Sequence, residues 1–171
     1  IGDWSSDVCS SDLGAGNNET EEYDGSTWSE QNNLSTGRGE IAGFGTQTAA
    51  VAFGGEATPG FNQTNAVEEY DGSSWTSGGT ASDAKMSLAG SGTQTSGVVF
   101  GGNPSASDST EEYDGSSWSN TGSLNVAGSF LNGFGTQSDT VTNVNTPNYA
   151  GTERYNGTSW TALPNMGVST P

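Results

Sequence analysis

The chain has 171 residues, with 20 acidic and 3 basic side chains, no His, one Cys and a formal net charge of −17. That balance excludes nucleic-acid binding through phosphate neutralisation, and the missing His with a single Cys leaves zinc, copper and nucleophile–base sites without parts. No apolar run is long enough for a helix that spans a bilayer, so membrane insertion by a helix is not expected.

The first residues stand apart from the rest. Trp4-Ser-Ser-Asp-Val-Cys-Ser-Ser-Asp12 followed by Leu13 resembles a conceptual translation of a widely used short-read sequencing adapter. The alternative is a genuine Ser/Asp-rich linker. On the adapter reading residues 1–13 carry no chemistry, Cys9 included, and are left out of fold reasoning. The authentic chain then begins near Gly14 as a truncated read. Without Asp3, Asp7 and Asp12 it holds 17 acidic residues against Arg38, Lys85 and Arg154, a formal charge of about −14.

Only 29% of the residues are hydrophobic, which together with high charge is also the signature of disorder. The aromatic pattern argues against it. Tyr23, Tyr70, Tyr113 and Tyr155 are each followed five residues later by Trp28, Trp75, Trp118 and Trp160, with Trp spacings of 47, 43 and 42. Such a period marks a repeat architecture.

In chain order, residues 14–30 supply the outer half of one unit, and 38–77, 84–119 and 127–161 supply three more. Pro164 to Pro171 reads as the approach to another. Within a unit the pattern is four short extended segments, as in Ile41–Thr48, Ala49–Phe53, a polar loop Glu56–Asn65, and Ala66–Trp75. The apolar runs Ala49–Phe53 and Gly97–Phe100 suit strands covered on both faces. Gly54-Gly55 and Gly101-Gly102 end them where the chain must turn. Asp24-Gly25, Asp71-Gly72, Asp114-Gly115 and Asn156-Gly157 predict two-residue type I′ hairpins, which would set Tyr70 and Trp75 diagonally on one face. Helix is disfavoured throughout by Gly, Ser, Thr and Asn.

Adjacent carboxylates at Glu21-Glu22, Glu68-Glu69 and Glu111-Glu112 point to opposite faces of a strand and cannot converge on one substrate. Glu22, Glu69 and Glu112 are read as solvated. Glu21, Glu68, Glu111 and Glu153 share the aromatic face, where a desolvated carboxylate needs a partner. Arg38 and Lys85, each ten residues after a Trp, are the candidates for a repeated ion pair between units, Glu21 with Arg38 and Glu68 with Lys85; Gly128 replaces the cation in the third unit. No Asp-x-Asp-x-Asp spacing for calcium occurs, and the residues call for no cofactor and no metal.

The Gly doublet, the Tyr and the following Trp, here Gly54-Gly55, Tyr70, Trp75 and Gly101-Gly102, Tyr113, Trp118, together resemble the kelch repeat. The resemblance spans residues 14–171 and implies an all-β fold, a partial, open β-propeller of about three and a half four-stranded blades. It departs in a shorter Tyr-to-Trp interval and in Val144-Asn145 where the third unit should carry its doublet. The wording Gly-Thr-Gln-Thr, Phe-Gly-Gly and Glu-Glu-Tyr-Asp-Gly-Ser-Ser-Trp is similar to repeats of structural or tail-fibre-like proteins of marine bacteriophages. That implies a non-enzymatic structural or binding module, virion-borne or extracellular, whose loops Glu56–Asn65 and Asn103–Ser109 meet a host-surface glycan or protein, or another virion protein. The alternatives are a secreted or cell-surface adhesive propeller, and a sugar-acting enzyme whose catalytic residues lie in missing blades. The copper-radical chemistry of some kelch-like enzymes needs His, Tyr and Cys ligands, which these residues do not provide.

Overall fold

The computed structural model describes residues 18–57, 62–104, 107–146 and 149–164. The adapter-like segment, the tips of the two polar loops at 58–61 and 105–106, and residues 165–171 lie outside them. The described chain is all-β and contains no helix. Its strands are β1 (Glu21–Tyr23), β2 (Trp28–Glu30), β3 (Arg38–Gly39), β4 (Ala42–Thr46), β5 (Ala49–Phe53), β6 (Glu56–Ala57), β7 (Asn62–Gln63), β8 (Ala66–Tyr70) and β9 (Trp75–Thr80). They continue as β10 (Ala89–Thr93), β11 (Ser96–Phe100), β12 (Thr110–Tyr113), β13 (Trp118–Asn120), β14 (Asn132–Thr136), β15 (Asp139–Thr146), β16 (Tyr149–Tyr155) and β17 (Trp160–Leu163).

Three four-stranded antiparallel sheets follow sequence order: β4-β5-β8-β9, β10-β11-β12-β13 and β14-β15-β16-β17. The pair β1-β2 and a small sheet β3-β6-β7 complete the set. Within each sheet the strands pair in chain order, and the apolar second strand, buried from Ala50 to Phe53 and from Gly97 to Phe100, sits inside its sheet. The arrangement is compatible with a propeller-like fold.

The hairpin between the third and fourth strands differs from the expected two-residue turn. Tyr70 pairs directly with Trp75, and Tyr113 with Trp118, across a four-residue loop closed by Asp71 N–H to Ser74 O at 3.2 Å. Only the glycine takes positive φ, +89° at Gly72; the Asp before it does not. The Asp carboxylate instead folds over the loop, Asp71 Oδ1 accepting from Ser73 N at 2.9 Å and Ser74 N at 2.8 Å. Asn156 Oδ1 does the same for Thr158 N and Ser159 N, so a side-chain oxygen, not a charge, is what the position requires. The loop amides hold the Asp24 and Asp114 carboxyls down at about 2. Directly opposed rings then stack, with Tyr113 and Trp118 centroids 4.7 Å apart.

The Gly doublets take positive φ, +63° and +95° at Gly54 and Gly55, +72° and +101° at Gly101 and Gly102. These angles swing the chain out of the sheet, at a cost only glycine avoids. In the third unit Val144-Asn145 cannot follow, and the ladder simply continues: β15 runs on to Thr146, paired with Tyr149. The missing doublet lengthens one hairpin and leaves the rest of the sheet in register.

Neighbouring sheets stack on aromatic rings. Trp118 of the second unit meets Phe53 of the first at 4.9 Å and 63°, and Trp160 of the third meets Phe100 of the second at 4.7 Å and 66°, both edge-to-face. Phe44 fills a notch over Gly90 and Gly97, where any Cβ would collide with its ring. The Phe134 ring, in the same Gly-Phe-Gly-Thr wording, is 68% exposed because no sheet among the described residues stands over it, and Trp28 is 50% exposed at the opposite end.

Candidate functional site

The residues singled out from the sequence form the joints between units. Tyr70, Tyr113 and Tyr155 are buried, while Tyr23 and Trp28 are exposed at the first end. The carboxylates read as solvated are in fact the partners of these phenols: Tyr113 Oη donates to Glu69 at 2.8 Å and Tyr155 Oη to Glu112 at 3.0 Å, each joining one unit to the next. Tyr70 Oη and Glu22 Oε1 are both buried and unpartnered among the described residues. Glutamines of the Gly-Thr-Gln wording add a second tie. Gln94 Nε2 donates to Tyr70 O at 2.8 Å and Gln137 Nε2 to Tyr113 O at 2.9 Å, each reaching the preceding unit.

Burial, with the neighbouring Glu acting in the same direction, pushes Tyr70 up to about 12 and raises Tyr113 as well; burial likewise carries Tyr155 to about 12. The fold favours the neutral phenol, so this stability is complete below the ordinary tyrosine value near ~10 and drains away as pH climbs through the folded value. We therefore expect cooperative alkaline unfolding above about pH 10, with tyrosinate absorbance and loss of circular dichroism rising together. Phenols that ionise while the fold persists would contradict it.

The ion pairs take partners other than those expected. Arg38, fully buried, pairs with Glu68 at 2.9 Å rather than with Glu21, which is exposed. Lys85 lies 3.9 Å from Glu111 rather than beside Glu68. Each cation reaches forward within its own unit: Arg38 Nη1 also donates to Gly54 O at 2.8 Å and Ala66 O at 2.9 Å, and Lys85 Nζ donates to Ser109 Oγ. The linker ahead of each unit adds a backbone amide. Ser35 N, Ser82 N and Asn125 N donate to Glu68, Glu111 and Glu153, each at 2.8 Å. Glu153, facing Gly128 in place of a cation, adds Asn125 Nδ2 and Val126 N.

One joint lacks a partner. Trp75 Nε1 donates to Thr20 Oγ1 and Trp160 Nε1 to Thr110 Oγ1, both at 2.9 Å, but Trp118 Nε1 is buried and unpaired among the described residues, and the equivalent of Thr20 and Thr110 is Val67. Val67→Thr should restore the bond and stabilise by about 1 kcal/mol, and Thr110→Val should cost about 1–2 kcal/mol, by urea denaturation. Destabilisation by Val67→Thr would show that the indole needs no acceptor.

A recess of about ligand size lies elsewhere among the described residues, and sequence reasoning missed it. It holds about 300 Å³ and is lined by Glu40, Ile41, Ser87, Leu88, Phe130, Leu131 and Asn132. Glu40, Ser87 and Phe130 hold equivalent places in the three units and have φ of 54°, 55° and 55°, the three non-glycine residues in the left-handed region among those described. A backbone chain ties them together, Ser87 N donating to Glu40 O at 2.9 Å and Phe130 N to Ser87 O at 2.7 Å. Ser87 Oγ donates to Glu40 Oε2. Ile41, Leu88 and Leu131 form the apolar floor. Strained non-glycine backbone gathers where the surrounding structure over-determines it, commonly at functional sites. The polar loop Asn103–Ser109 starts beside this rim, with Asn103 bridged to Met86 and its Nδ2 3.4 Å from Ser87 Oγ.

No known family matches the chain, nor does any curated protein. Among solved structures it is similar to one titled "Structure of YjhT", with a TM-score of 0.68 at 16% identity over 86% of this chain. The match spans 52% of that chain, about half its length. At this identity the likeness speaks for the fold alone.

Proposed function

We propose that this chain is an open arc of a kelch-like β-propeller, about three and a half blades, serving as a non-enzymatic binding module of a phage virion or tail-fibre-like protein that meets a host-surface glycan or protein. One observation carries the reading. At a single backbone position, held in the same strained geometry in all three units, the side chains are a carboxylate, a hydroxyl and a phenyl ring. Glu40 and Phe130 are exposed while Ser87 is buried, and a frame that repeats while the groups it carries differ is the economy of a recognition surface. The loops Glu56–Asn65 and Asn103–Ser109 leave the sheets at the same end as this rim, which adds to the support.

An enzyme whose reacting groups lie in further blades remains the second reading, favoured by the chain spanning about half of the structure it resembles. Incubation of the purified protein with immobilised glycans and host envelopes separates the two. Retention without chemical change is the expected result. Release of modified sugar without retention would overturn the binding reading, and neighbouring capsid or baseplate genes are expected beside the full open reading frame.

A further inference from the structure

We propose that the recess ringed by Glu40, Ser87 and Phe130 binds a neutral or amino sugar, one pyranose ring stacking on Phe130; this rests on the binding-module reading and names its ligand. The Phe130 ring is 72% exposed although Leu131 beside it is buried. A large aromatic in the left-handed region carries backbone strain, and in water its ring has no packing to offset it. A ligand with a flat apolar face supplies that packing. A pyranose has such a face in its axial C–H groups, and its hydroxyls need acceptors and donors in the ring plane.

The rim provides them. Glu40 engages Ser87 through Oε2, and its Oε1 accepts no hydrogen bond among the described residues. Ser87 is buried with its Oγ engaged by Glu40, and the exposed Asn132 amide stands at the same apolar floor. The volume of about 300 Å³ lies at the small end of ligand-pocket sizes. Charge narrows the class further. No Lys or Arg lines the recess, and Glu40 would repel a uronate, a sulfated sugar or a phosphate.

The test uses the whole chain, with ligand-observed NMR against glucose, galactose, N-acetylglucosamine, glucosamine and glucuronate. Binding of neutral and amino sugars, with none to glucuronate, is expected. Phe130→Ala should weaken it by at least about tenfold, as for loss of an aromatic anchor, and Glu40→Gln should weaken glucosamine more than glucose. Phe130→Gly should raise the melting temperature while abolishing binding, because glycine relieves the left-handed strain; a merely structural ring would lower it. Sugar binding unchanged in all three variants would move the site elsewhere and leave the module reading standing. Retention of a host protein with no sugar bound would overturn the saccharide assignment alone, and retention of neither would overturn both.

Discussion

At micromolar concentration the purified chain should associate head to tail, and Trp28→Ser combined with Phe134→Ser should return it to a monomer. Inside the molecule every Trp face meets the unit before it. Trp118, for instance, lies 6.4 Å from Phe44 at 71°, and 4.9 Å from Phe53. The two ends carry the halves of the same contact without their partners: Trp28 at one, Phe134, the counterpart of Phe44, at the other. Among the described residues β1 also has an unpaired edge where β8 pairs with β5 in the next unit. Such faces differ from one another, so the contact is heterologous and extends into rings or filaments. Burying a large aromatic is worth about 2–3 kcal/mol, and the double substitution should therefore raise the dissociation constant by at least ~100-fold. Sedimentation velocity over a concentration series reads this directly. A monodisperse, cooperatively melting wild-type monomer at every concentration would defeat it.

Removing Arg38 should produce the largest loss of stability of any single side chain. Its guanidinium, pulled below its ordinary value by burial and supported by Glu68, satisfies two carbonyls and one carboxylate in a site closed to water. Arg38→Gly leaves the Glu68 charge without its cation, and breaking a buried pair from one side costs about 3–5 kcal/mol, a large share of the ~5–15 kcal/mol that holds a domain together. The third unit shows how such a carboxylate survives. Glu153 faces Gly128 and is held by Asn125 N, Asn125 Nδ2 and Val126 N. Ser35 is the equivalent of Asn125, so Ser35→Asn in the Arg38→Gly background should recover about 1–2 kcal/mol by adding one charge-assisted bond. Urea melts in the monomeric Trp28/Phe134 background measure both. No rescue would mean that the cation supports Gly54 O and Ala66 O more than it supports Glu68.

The period of Tyr and Trp, the apolar second strands and the Gly doublets were legible because each is a local demand: a ring needs burial, an inner strand needs apolar side chains, a reversal needs positive φ. The pairing register was less so. Asp71-Gly72 reads as a two-residue turn on propensity, yet the Asp carboxylate can cap two loop amides, and that favours the wider loop that sets Tyr70 opposite Trp75. Glu69 reads as solvated because neighbouring strand residues point to opposite faces and Glu68 takes the aromatic one, with Arg154 standing at the equivalent place in the last unit. Its partner, the Tyr113 phenol, lies 44 residues along the chain. The Glu40, Ser87 and Phe130 rim left no signal beyond one Phe in a polar stretch, since none of the three is a residue that favours the left-handed region.

The amino-acid order by itself determined that repeated strands would form and which rings would be hidden if a neighbour came to lie on them, because alternation and turn chemistry act over a few residues. Only the tertiary structure decided where neighbours are present. The same Gly-Phe-Gly-Thr wording buries Phe44 to 8% exposure and leaves Phe134 at 68%, and the difference is the glycine-lined sheet that stands over the first and not the second.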